Sequence, residues 1–445
     1  MHIVIAGGGQ VGAGLARALA ANHEVFVIDH DALAGDAFQA MNVEFVLGSG
    51  TSEEVLTRAG VPRADVFVAA TGLDEVNIVA CALANRLGRP RTICLVSRAE
   101  FIGDGGGLAA FGIDRVVWPE AQLAADIERI VTVPGAIDAE AFAGGIMRLL
   151  EYRLDDGSPL TAVPLSGLHL PRGALIVAVK RADRIFVPRG TTHLQAGDKV
   201  IVMGTPEAMQ AVEARVHPAR GGEGRLHVTI IGGGDVGLQL AQRLEQIPQI
   251  DLRIVERGED RGALLAATLR RTLVLSGDGT DLEFLESENV GRSDVLVSVI
   301  DNDERNLLAS LLGRQLGVRK VITRVGRPAN LRLFERVGID VAISARAAAV
   351  ASILHQITGG ATSLLAVIEH GEARVFELTV AADFEPRELK QMGTGQDAIV
   401  AAILREGGAI VPRGDDVVRP GDRLVIFCTE DAVDRVRDYF THERA

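Results

Sequence analysis

The sequence predicts an α/β protein in which two doubly wound parallel sheets alternate with two small, strand-rich α+β domains. The first observation is a repeat: IVIAGGGQVG begins at Ile3, and VTIIGGGDVG begins at Val228, which is 225 residues later (228 − 3). The second is the strand–helix alternation that follows each copy, as in parallel sheets with right-handed crossovers. The third is a change of pattern late in each half, where short alternating strands replace the helices.

Each repeat opens a βαβ unit of the Rossmann-like, dinucleotide-binding kind. An apolar β-branched run leads into G-x-G-x-x-G, a helical stretch follows, and the next apolar run ends in an acid. The equivalent glycines are Gly7, Gly9 and Gly12 in the first half and Gly232, Gly234 and Gly237 in the second. The first permits a tight turn, the second lets a pyrophosphate approach the backbone, and the third lets the helix pack closely on the sheet. The helix N-terminus then offers free N–H groups to the phosphates.

The acid at the end of the second strand is Asp29 in VFVIDH and Glu256 in LRIVER. A carboxylate at this place accepts hydrogen bonds from ribose hydroxyls and disfavours a 2′-phosphate. We therefore expect NAD-type or adenosine ligands rather than NADP in both halves. The alternative is that one or both loops are vacant and are kept only for folding.

The rest of each nucleotide-binding half follows in the same order. The third strand leads into GSGT at Gly48 in the first half and into GDGT at Gly277 in the second. The next helix opens on DEVN at Asp74 and on DERN at Asp303. A fifth strand (RTICLVSR, KVITRVGR) and a sixth (FGIDRVV, VGIDVAIS) complete each sheet. DEVN is interpreted first as a helix cap and second as a ligand contact.

A strand-rich module follows each nucleotide-binding half, so the predicted domain order is N1–C1–N2–C2. Pro188 corresponds to Pro412, and the Gly-Asp turn at Gly197 to that at Gly421, each 224 residues apart (412 − 188 and 421 − 197). The predicted domains are residues 1–134 (N1), 135–217 (C1), a Gly-rich linker 218–224, 225–358 (N2) and 359–445 (C2). The Ala-rich segment SARAAAVASIL from Ser344 is expected to be a crossover helix that packs on a neighbouring subunit, with an internal core helix as the alternative.

Composition and charge argue against several classes of function. The 445 residues are 47% hydrophobic and 24% charged, and their formal net charge of −13 argues against nucleic acid as a partner. No apolar run approaches the roughly 20 residues of a membrane span. The chain begins directly with a strand, so we expect no signal peptide and a cytoplasmic location. The histidines lack metal-ligand spacing, so no metal site is expected. The cysteines form no CxxC motif and are interpreted as core residues: Cys81, Cys94 and Cys428.

Together these motifs resemble two tandem RCK modules, the fold that regulates potassium conductance. The resemblance covers essentially all residues and rests on the glycine loops, the GSGT and GDGT segments, the DExN helix openings and the paired strand–Pro–Gly-Asp modules. The chain as a whole is similar to the TrkA-type peripheral subunits of bacterial Trk potassium uptake systems. That family implies a nucleotide-sensing gating ring, a homo-oligomer that is a tetramer, on the inner face of the cell membrane. It also implies binding of NAD(H) and of ATP or ADP, and docking on a TrkH-type potassium-translocating membrane subunit.

By this resemblance, the nucleotide contacts fall on equivalent positions of the two halves. In N1 they are Gly7, Gly9, Gln10, Val11, Asp29, Gly48, Ser49 and Thr71, and in N2 they are Gly232, Gly234, Asp235, Val236, Glu256, Asp278 and Arg324. N1 departs twice from the family pattern: Leu95 replaces the basic residue of the fifth strand, and Ser49 replaces the acid after the third. Arg98 lies near enough in the sequence to substitute for that base. We expect unequal sites, with N1 preferring the dinucleotide and N2 tolerating the more highly charged mononucleotides through Arg324.

Two other functions stay open on the sequence alone. An NAD-dependent oxidoreductase of the homoserine or saccharopine dehydrogenase type would need a proton donor beside the nicotinamide, yet the two strand-rich modules share no acid–base pair. A structural scaffold with silent nucleotide folds would not need intact glycines and acids in both halves. NADH absorbance with oxo acids tests the enzyme, and nucleotide-dependent thermal stabilisation tests the scaffold.

Overall fold

The structure is a computed structural model that describes residues 1–102, 107–132, 136–142, 146–154, 156–182, 184–216, 225–357, 362–368, 372–392, 397–405 and 408–441. The predicted linker 218–224 lies outside these residues. The chain forms two compact units, one of residues 1–125 with 226–357 and one of residues 126–225 with 358–445. Each unit therefore combines matching parts of the two sequence halves.

The first nucleotide-binding half is a parallel sheet with helical crossovers. Its described strands are β1 (His2–Ala6), β2 (Glu24–Asp29), β3 (Val43–Leu47), β4 (Val66–Ala69), β5 (Arg91–Leu95) and β6 (Arg115–Val117). Its helices are α1 (Gln10–Leu19), α2 (Glu53–Arg58), α3 (Asp74–Leu87) and α4 (Pro119–Thr132). The strand order β3-β2-β1-β4-β5-β6 puts the turn after β1 at the point where the order reverses, which is where ligands bind in such sheets.

The first strand-rich module is an antiparallel sheet with one described α-helix. Its strands are β7 (Ala136–Phe142), β8 (Met147–Arg153), β9 (Ala174–Arg181), β10 (Arg184–Phe186) and β11 (Lys199–Gly204), and its helix is α5 (Pro206–Val216). The strand order is β10-β9-β11-β8-β7.

The second nucleotide-binding half repeats the first sheet. Its strands are β12 (Leu226–Ile231), β13 (Ile250–Glu256), β14 (Leu273–Ser276), β15 (Val295–Ser298), β16 (Lys320–Arg324) and β17 (Val341–Ile343). Its helices are α6 (Asp235–Leu244), α7 (Glu259–Thr268), α8 (Leu282–Ser287), α9 (Asp303–Gln315), α10 (Leu331–Arg336) and α11 (Ala345–Ile357). The order β14-β13-β12-β15-β16-β17 matches that of the first sheet.

The second strand-rich module repeats the first, and the two share a hydrophobic core. Its elements are β18 (Thr362–Ile368), β19 (Ala373–Thr379), β20 (Arg387–Glu388), β21 (Ala398–Arg405), β22 (Gly408–Ile410), β23 (Val417–Val418), β24 (Arg423–Thr429) and α12 (Val433–Thr441). The main sheet has the order β18-β19-β24-β21-β22, and β20 pairs with β23. One cluster joins Ile201 and Met203 of the first module to Val425 and Phe427 of the second. The predicted fold class is confirmed.

The Gly-Asp turns of these modules each place a buried aspartate in an ion pair as well as reversing the chain. Gly197 has φ +85° and Gly421 has φ +79°, the left-handed backbone that glycine allows. Asp198, 1% exposed, accepts two hydrogen bonds from Arg181, both at 2.8 Å. Asp422, 4% exposed, accepts the equivalent pair from Arg405 at 2.8 and 2.7 Å. The turn prediction missed this second role of the aspartates.

The Ala-rich helix α11 packs on the first half of its own chain. A Cβ on Gly14 of α1 would lie 3.0 Å from the Val350 side chain. Arg91 donates a hydrogen bond to the Gln356 carbonyl at 2.7 Å. The expectation that this helix packs on a neighbouring subunit is corrected, because in this structure its partner is the other half of the same chain. The cysteines are buried, as predicted.

Candidate nucleotide sites

The turn after the first strand requires glycine at its first position in both halves. Gly7 has φ +112°, and a Cβ there would lie 2.6 Å from the carbonyl oxygen of Ala70. Gly232 has φ +106°, and its Cβ would lie 3.0 Å from the nitrogen of Ile300. Left-handed backbone and contact with the end of the adjacent strand together exclude a side chain. The predicted tight turn is therefore present twice.

The third glycine of each loop packs first against the loop itself. A Cβ on Gly12 would lie 1.8 Å from the carbonyl oxygen of Gly7, and one on Gly237 would lie 2.0 Å from that of Gly232. The sheet is further away, since the nearest Ile5 side-chain atom is 3.4 Å from the Gly12 position. The sheet was the expected packing partner of this glycine, whereas in the structure the loop carbonyl leaves no room for a side chain.

The second glycine of each loop faces open space at a helix N-terminus. Gly9 and Gly234 are the N-caps of α1 and α6, and a Cβ at either would meet no atom within 4 Å. The N–H groups of the first helical turn have no carbonyl partner within the helix and are available to an anion. Val11 and Val236 lie in that turn with buried side chains, so only their backbone could contact a ligand.

The first residue of each helix is held by an arginine that the sequence analysis did not identify. Gln10 Oε1 accepts a hydrogen bond from Arg346 Nη1 at 2.9 Å. Asp235 Oδ1 accepts one from Arg261 Nη2 at 3.0 Å. Arg261 also donates to the Gly233 carbonyl at 2.6 Å and belongs to the same half as Asp235. Arg346 belongs to the opposite half from Gln10.

The acid of the second strand fastens the glycine loop in each half. Asp29 Oδ2 accepts the N–H of Gly8 at 2.6 Å, and Glu256 Oε2 accepts that of Gly233 at 2.8 Å. The other carboxylate oxygen accepts the N–H two residues further on, at 2.9 and 2.7 Å. The N–H of Gly48 donates to the Asp29 carbonyl at 2.8 Å, which brings the end of the third strand alongside. Carboxylate oxygens have further lone pairs, so the ribose contact stays a prediction.

The two halves differ after the third strand. In the first, the hydroxyls of Ser49 and Thr51 lie 2.8 Å apart and share a hydrogen bond. In the second, Asp278 Oδ1 accepts hydrogen bonds from the Thr280 N–H at 2.9 Å and from Arg305 at 2.7 Å. Burial acts to raise the pKa of Asp278, but the hydrogen bonds from Thr280 and Arg305 outweigh it and the pKa is lowered. The second site thus keeps an ionised, paired acid where the first has a neutral pair.

A buried asparagine joins the ends of the fourth and fifth strands. Asn77 Oδ1 accepts the N–H and the hydroxyl of Thr71 at 2.8 and 2.7 Å, and Asn77 Nδ2 donates to the Leu95 carbonyl at 2.9 Å. Asn306 takes the equivalent place in the second half, where its Nδ2 donates to the Arg324 carbonyl at 3.0 Å. Both asparagines are 1% exposed. Thr71, a predicted nucleotide contact, is therefore part of a structural network.

The acid of each DExN segment binds the loop after the fifth strand. Asp74 accepts the N–H groups of Ser97 and Arg98 at 3.0 and 2.9 Å. Asp303 accepts the N–H of Gly326 at 2.6 Å. Leu73, before Asp74, is the N-cap of α3 and makes no side-chain cap bond. The interpretation of DEVN as a helix cap is therefore corrected.

The basic residues near the fifth strand are distributed unevenly. Arg324, 18% exposed in its side chain, pairs with Asp301 at 2.9 Å. Leu95, at the same position in the first half, is buried. Arg98 contacts three acids of its own half, Asp74, Glu75 and Glu100. These contacts engage Arg98 within its own half, and its substitution for the missing base stays a prediction.

Metal and membrane signals are absent from the parts of the chain that the structure describes. No group of three or more His, Cys, Asp or Glu residues in those ranges could hold a metal ion. No helix there is both long and apolar enough to cross a membrane.

Two domain models match the chain, each of them twice. The TrkA-N domain matches residues 3–119 and 228–345, and the TrkA-C domain matches residues 149–217 and 375–441. A Trk system potassium uptake protein TrkA homolog 1 from Methanosarcina mazei is 37% identical, covering 99% of this chain and all of its own length. The TrkA of Halomonas elongata is 31% identical, covering 98% of this chain and 97% of its own length.

Solved structures share the fold at lower identity. The GsuK RCK domain matches with a TM-score of 0.60 and 20% identity over 98% of this chain and 94% of its own. The GsuK channel bound to NAD matches with a TM-score of 0.59 and 20% identity over 98% of this chain and 78% of its own. The tandem RCK architecture inferred from the sequence is confirmed.

Proposed function

This chain belongs to the TrkA family of Trk system potassium uptake proteins, and we propose that it senses nucleotides and thereby gates a membrane potassium channel or transporter. Its family match covers most of the chain, and its relatives are matched over nearly their whole length. The family is one of regulatory potassium-transport subunits rather than of enzymes, so the dehydrogenase alternative is set aside.

The observation that carries the nucleotide-sensing proposal is the pair of open helix N-termini at Gly9 and Gly234. Each helix N-terminus stands where the strand order of its sheet reverses, beside the carboxylate of Asp29 or Glu256. Pyrophosphate and ribose bind at this place in such folds. The proposed contacts are Gly7, Gly9, Gln10, Val11, Asp29, Gly48, Ser49 and Thr71 in residues 1–134, and Gly232, Gly234, Asp235, Val236, Glu256, Asp278 and Arg324 in residues 225–358. The proposed ligands are NAD(H) and ATP or ADP, and the NAD bound by the GsuK channel supports the dinucleotide.

The proposed partner is a TrkH-type membrane subunit, contacted from the cytoplasmic side by a symmetric oligomer, a tetramer. Closed symmetry would let nucleotide-driven movements act on all copies of the gate together. A nucleotide shifts the gating equilibrium only by its difference in affinity between two conformations. In this scheme residues 135–217 and 359–445 form the C-terminal modules, and residues 218–224 link the two halves.

The test measures binding of the full chain to the detergent-solubilised membrane subunit with and without NADH, ATP and ADP. We expect at least one nucleotide to change this affinity, and the membrane subunit to change nucleotide affinity by the same factor. The double variant Gly9→Val, Gly234→Val is the matched control, because both positions have room for a side chain. It should bind the membrane subunit without responding to nucleotide. Indifference of the unmodified chain to every nucleotide at saturation would refute the proposal.

A further inference from the structure

The first nucleotide site lacks three arginines that surround the second. In the second half, Arg261 contacts the glycine loop, Arg305 contacts Asp278, and Arg324 ends β16. The residues at the equivalent positions of the first half are Ala34, Val76 and Leu95. All three are uncharged. Because a nucleotide brings several negative phosphate charges, the first half alone offers little to neutralise them.

Arg346 brings a guanidinium to this arginine-poor site from the other half of the chain. It is the second residue of α11, is exposed, and donates through Nη1 to Gln10 Oε1 at 2.9 Å. The same nitrogen donates to the Gly326 carbonyl at 2.5 Å. Gln10 is the first residue of α1 and directly follows the open N-cap Gly9. The guanidinium is therefore anchored on its own half and lies beside the helix N-terminus of the other.

The packing of α11 on α1 fixes this arrangement. A Cβ added to Gly14, one turn beyond Gln10, would lie 3.0 Å from Val350 of α11, which is one turn beyond Arg346. Small residues at this crossing let the two helices approach closely, so the position of Arg346 is set by the backbone of both. A guanidinium has five N–H donors, and donors beyond those on Nη1 remain for a phosphate.

The matching position in the first half carries the opposite charge. Glu120 is the second residue of α4, as Arg346 is of α11. Burial raises the pKa of its carboxyl, and the nearby charges that also shift this pKa are Arg324 and Asp235 of the second half and Asp74 of its own. Its Oε2 is buried and accepts no hydrogen bond from the residues that the structure describes. The two halves thus exchange opposite charges: the arginine-poor site receives Arg346, and the arginine-rich site receives Glu120.

We propose that Arg346 binds the phosphates of a nucleotide held by the first glycine loop, so that the first site is completed by a residue of the second half. This inference rests on the proposed nucleotide sensing and names a specificity-determining residue for it. The ligand chemistry is a phosphate-bearing adenine nucleotide, since a nucleoside without phosphate gives the guanidinium no anion to bind. Arginine suits this role because its planar fork pairs with two phosphate oxygens at once.

The experiment isolates the first site in the full chain with Gly234→Val, which blocks the second loop. In that background, Arg346→Gln, Arg346→Lys and the control Arg292→Gln are titrated with ADP, NAD and adenosine by calorimetry. Arg292 is a suitable control because it is an exposed arginine and its substitution removes the same charge. It precedes the amino end of β15, whereas the glycine loops follow the carboxyl ends of their strands. We expect Arg346→Gln to weaken ADP and NAD binding about tenfold, which corresponds to about 1.4 kcal/mol, and to leave adenosine binding unchanged.

The remaining arms separate failure of this inference from failure of the proposed function. Arg346→Lys should lie between wild type and Arg346→Gln, because lysine keeps the charge but not the fork. Equal ADP affinity in Arg346→Gln and Arg292→Gln would overturn the role of Arg346 while leaving nucleotide sensing intact. Absence of ADP and NAD binding in the Gly234→Val parent would overturn the first site and with it the role of Arg346, and absence of binding in the unmodified chain as well would overturn the proposed function. An equal loss for adenosine would also overturn the phosphate contact, since it would indicate a disturbed fold.

Discussion

Replacing Asp29 with alanine should loosen the first glycine loop even when no nucleotide is present. The carboxylate accepts the partly buried N–H of Gly8 at 2.6 Å and the exposed N–H of Asp31 at 2.9 Å. Water can replace the carboxylate at the exposed Asp31 N–H, so the loss of stability comes mainly from the hydrogen bond to Gly8. A hydrogen bond to a charged group contributes about 1.5–3 kcal/mol. The opening free energy of the loop should fall by that amount.

Hydrogen–deuterium exchange at the loop amides measures this opening directly, which suits a chain whose several domains need not unfold in one step. At tenfold per 1.4 kcal/mol, the Gly8 amide should exchange roughly 10- to 100-fold faster in Asp29→Ala. Glu256→Ala is the matched control, because it should accelerate exchange at Gly233 and leave Gly8 unchanged. If Asp29→Ala weakens NAD binding but Gly8 exchanges at the wild-type rate, the carboxylate acts on the ligand alone and the reasoning fails.

Three further outcomes can be checked by thermal unfolding, followed for the transition of the compact unit that carries each substitution. Gly7→Ala should destabilise the chain by about 1–3 kcal/mol, because φ is +112° and the space is filled, whereas Gly9→Ala should change little. Arg405→Ala should cost about 1.5–3 kcal/mol, because the buried Asp422 carboxylate loses its two hydrogen bonds from Arg405 and keeps the one from the Arg419 N–H. Burial acts to raise the pKa of Asp422, but the hydrogen bonds from Arg405 and Arg419 outweigh it and the pKa is lowered. The stability advantage of the wild type should therefore be present above the ordinary aspartate pKa of about 3.9 and disappear as the pH falls through the lowered value. Glu120→Gln should raise the unfolding temperature at neutral pH. Burial raises the pKa of Glu120, so the wild type loses stability as the pH rises above the ordinary glutamate pKa of about 4.3. A glutamine side chain does not titrate, so the variant should match the stability of the wild type only in acid. A Glu120→Gln protein less stable than wild type at pH 7 would contradict that sign.

The parts of the fold that depend on local sequence were predictable, and the parts that depend on distant contacts were not. The spacing of Gly7 and its partners specifies a turn whose geometry is local, so the loop and the parallel sheet that it opens could be inferred. Asp198 was correctly placed in a turn, but its pairing with Arg181 requires two strands to lie side by side. Arg346 stands in an Ala-rich helix with no local signal of function. Its contact with Gln10 exists only because the two halves pack together.

The pairing of the two halves also has a consequence for how the chain matures on the ribosome. Gln10 and Arg346 are separated by 336 residues, and residues 126–225 of the other compact unit are synthesised between the two parts of theirs. At about 5–20 residues per second, the α1 surface waits on the order of tens of seconds for α11 to emerge. During that delay the nascent first half exposes the face of α1 that later packs on α11, and it has to remain free of aggregation. A slower stretch of translation before α11 would lengthen the exposure, and ligand binding at the first glycine loop before then would have to proceed without Arg346.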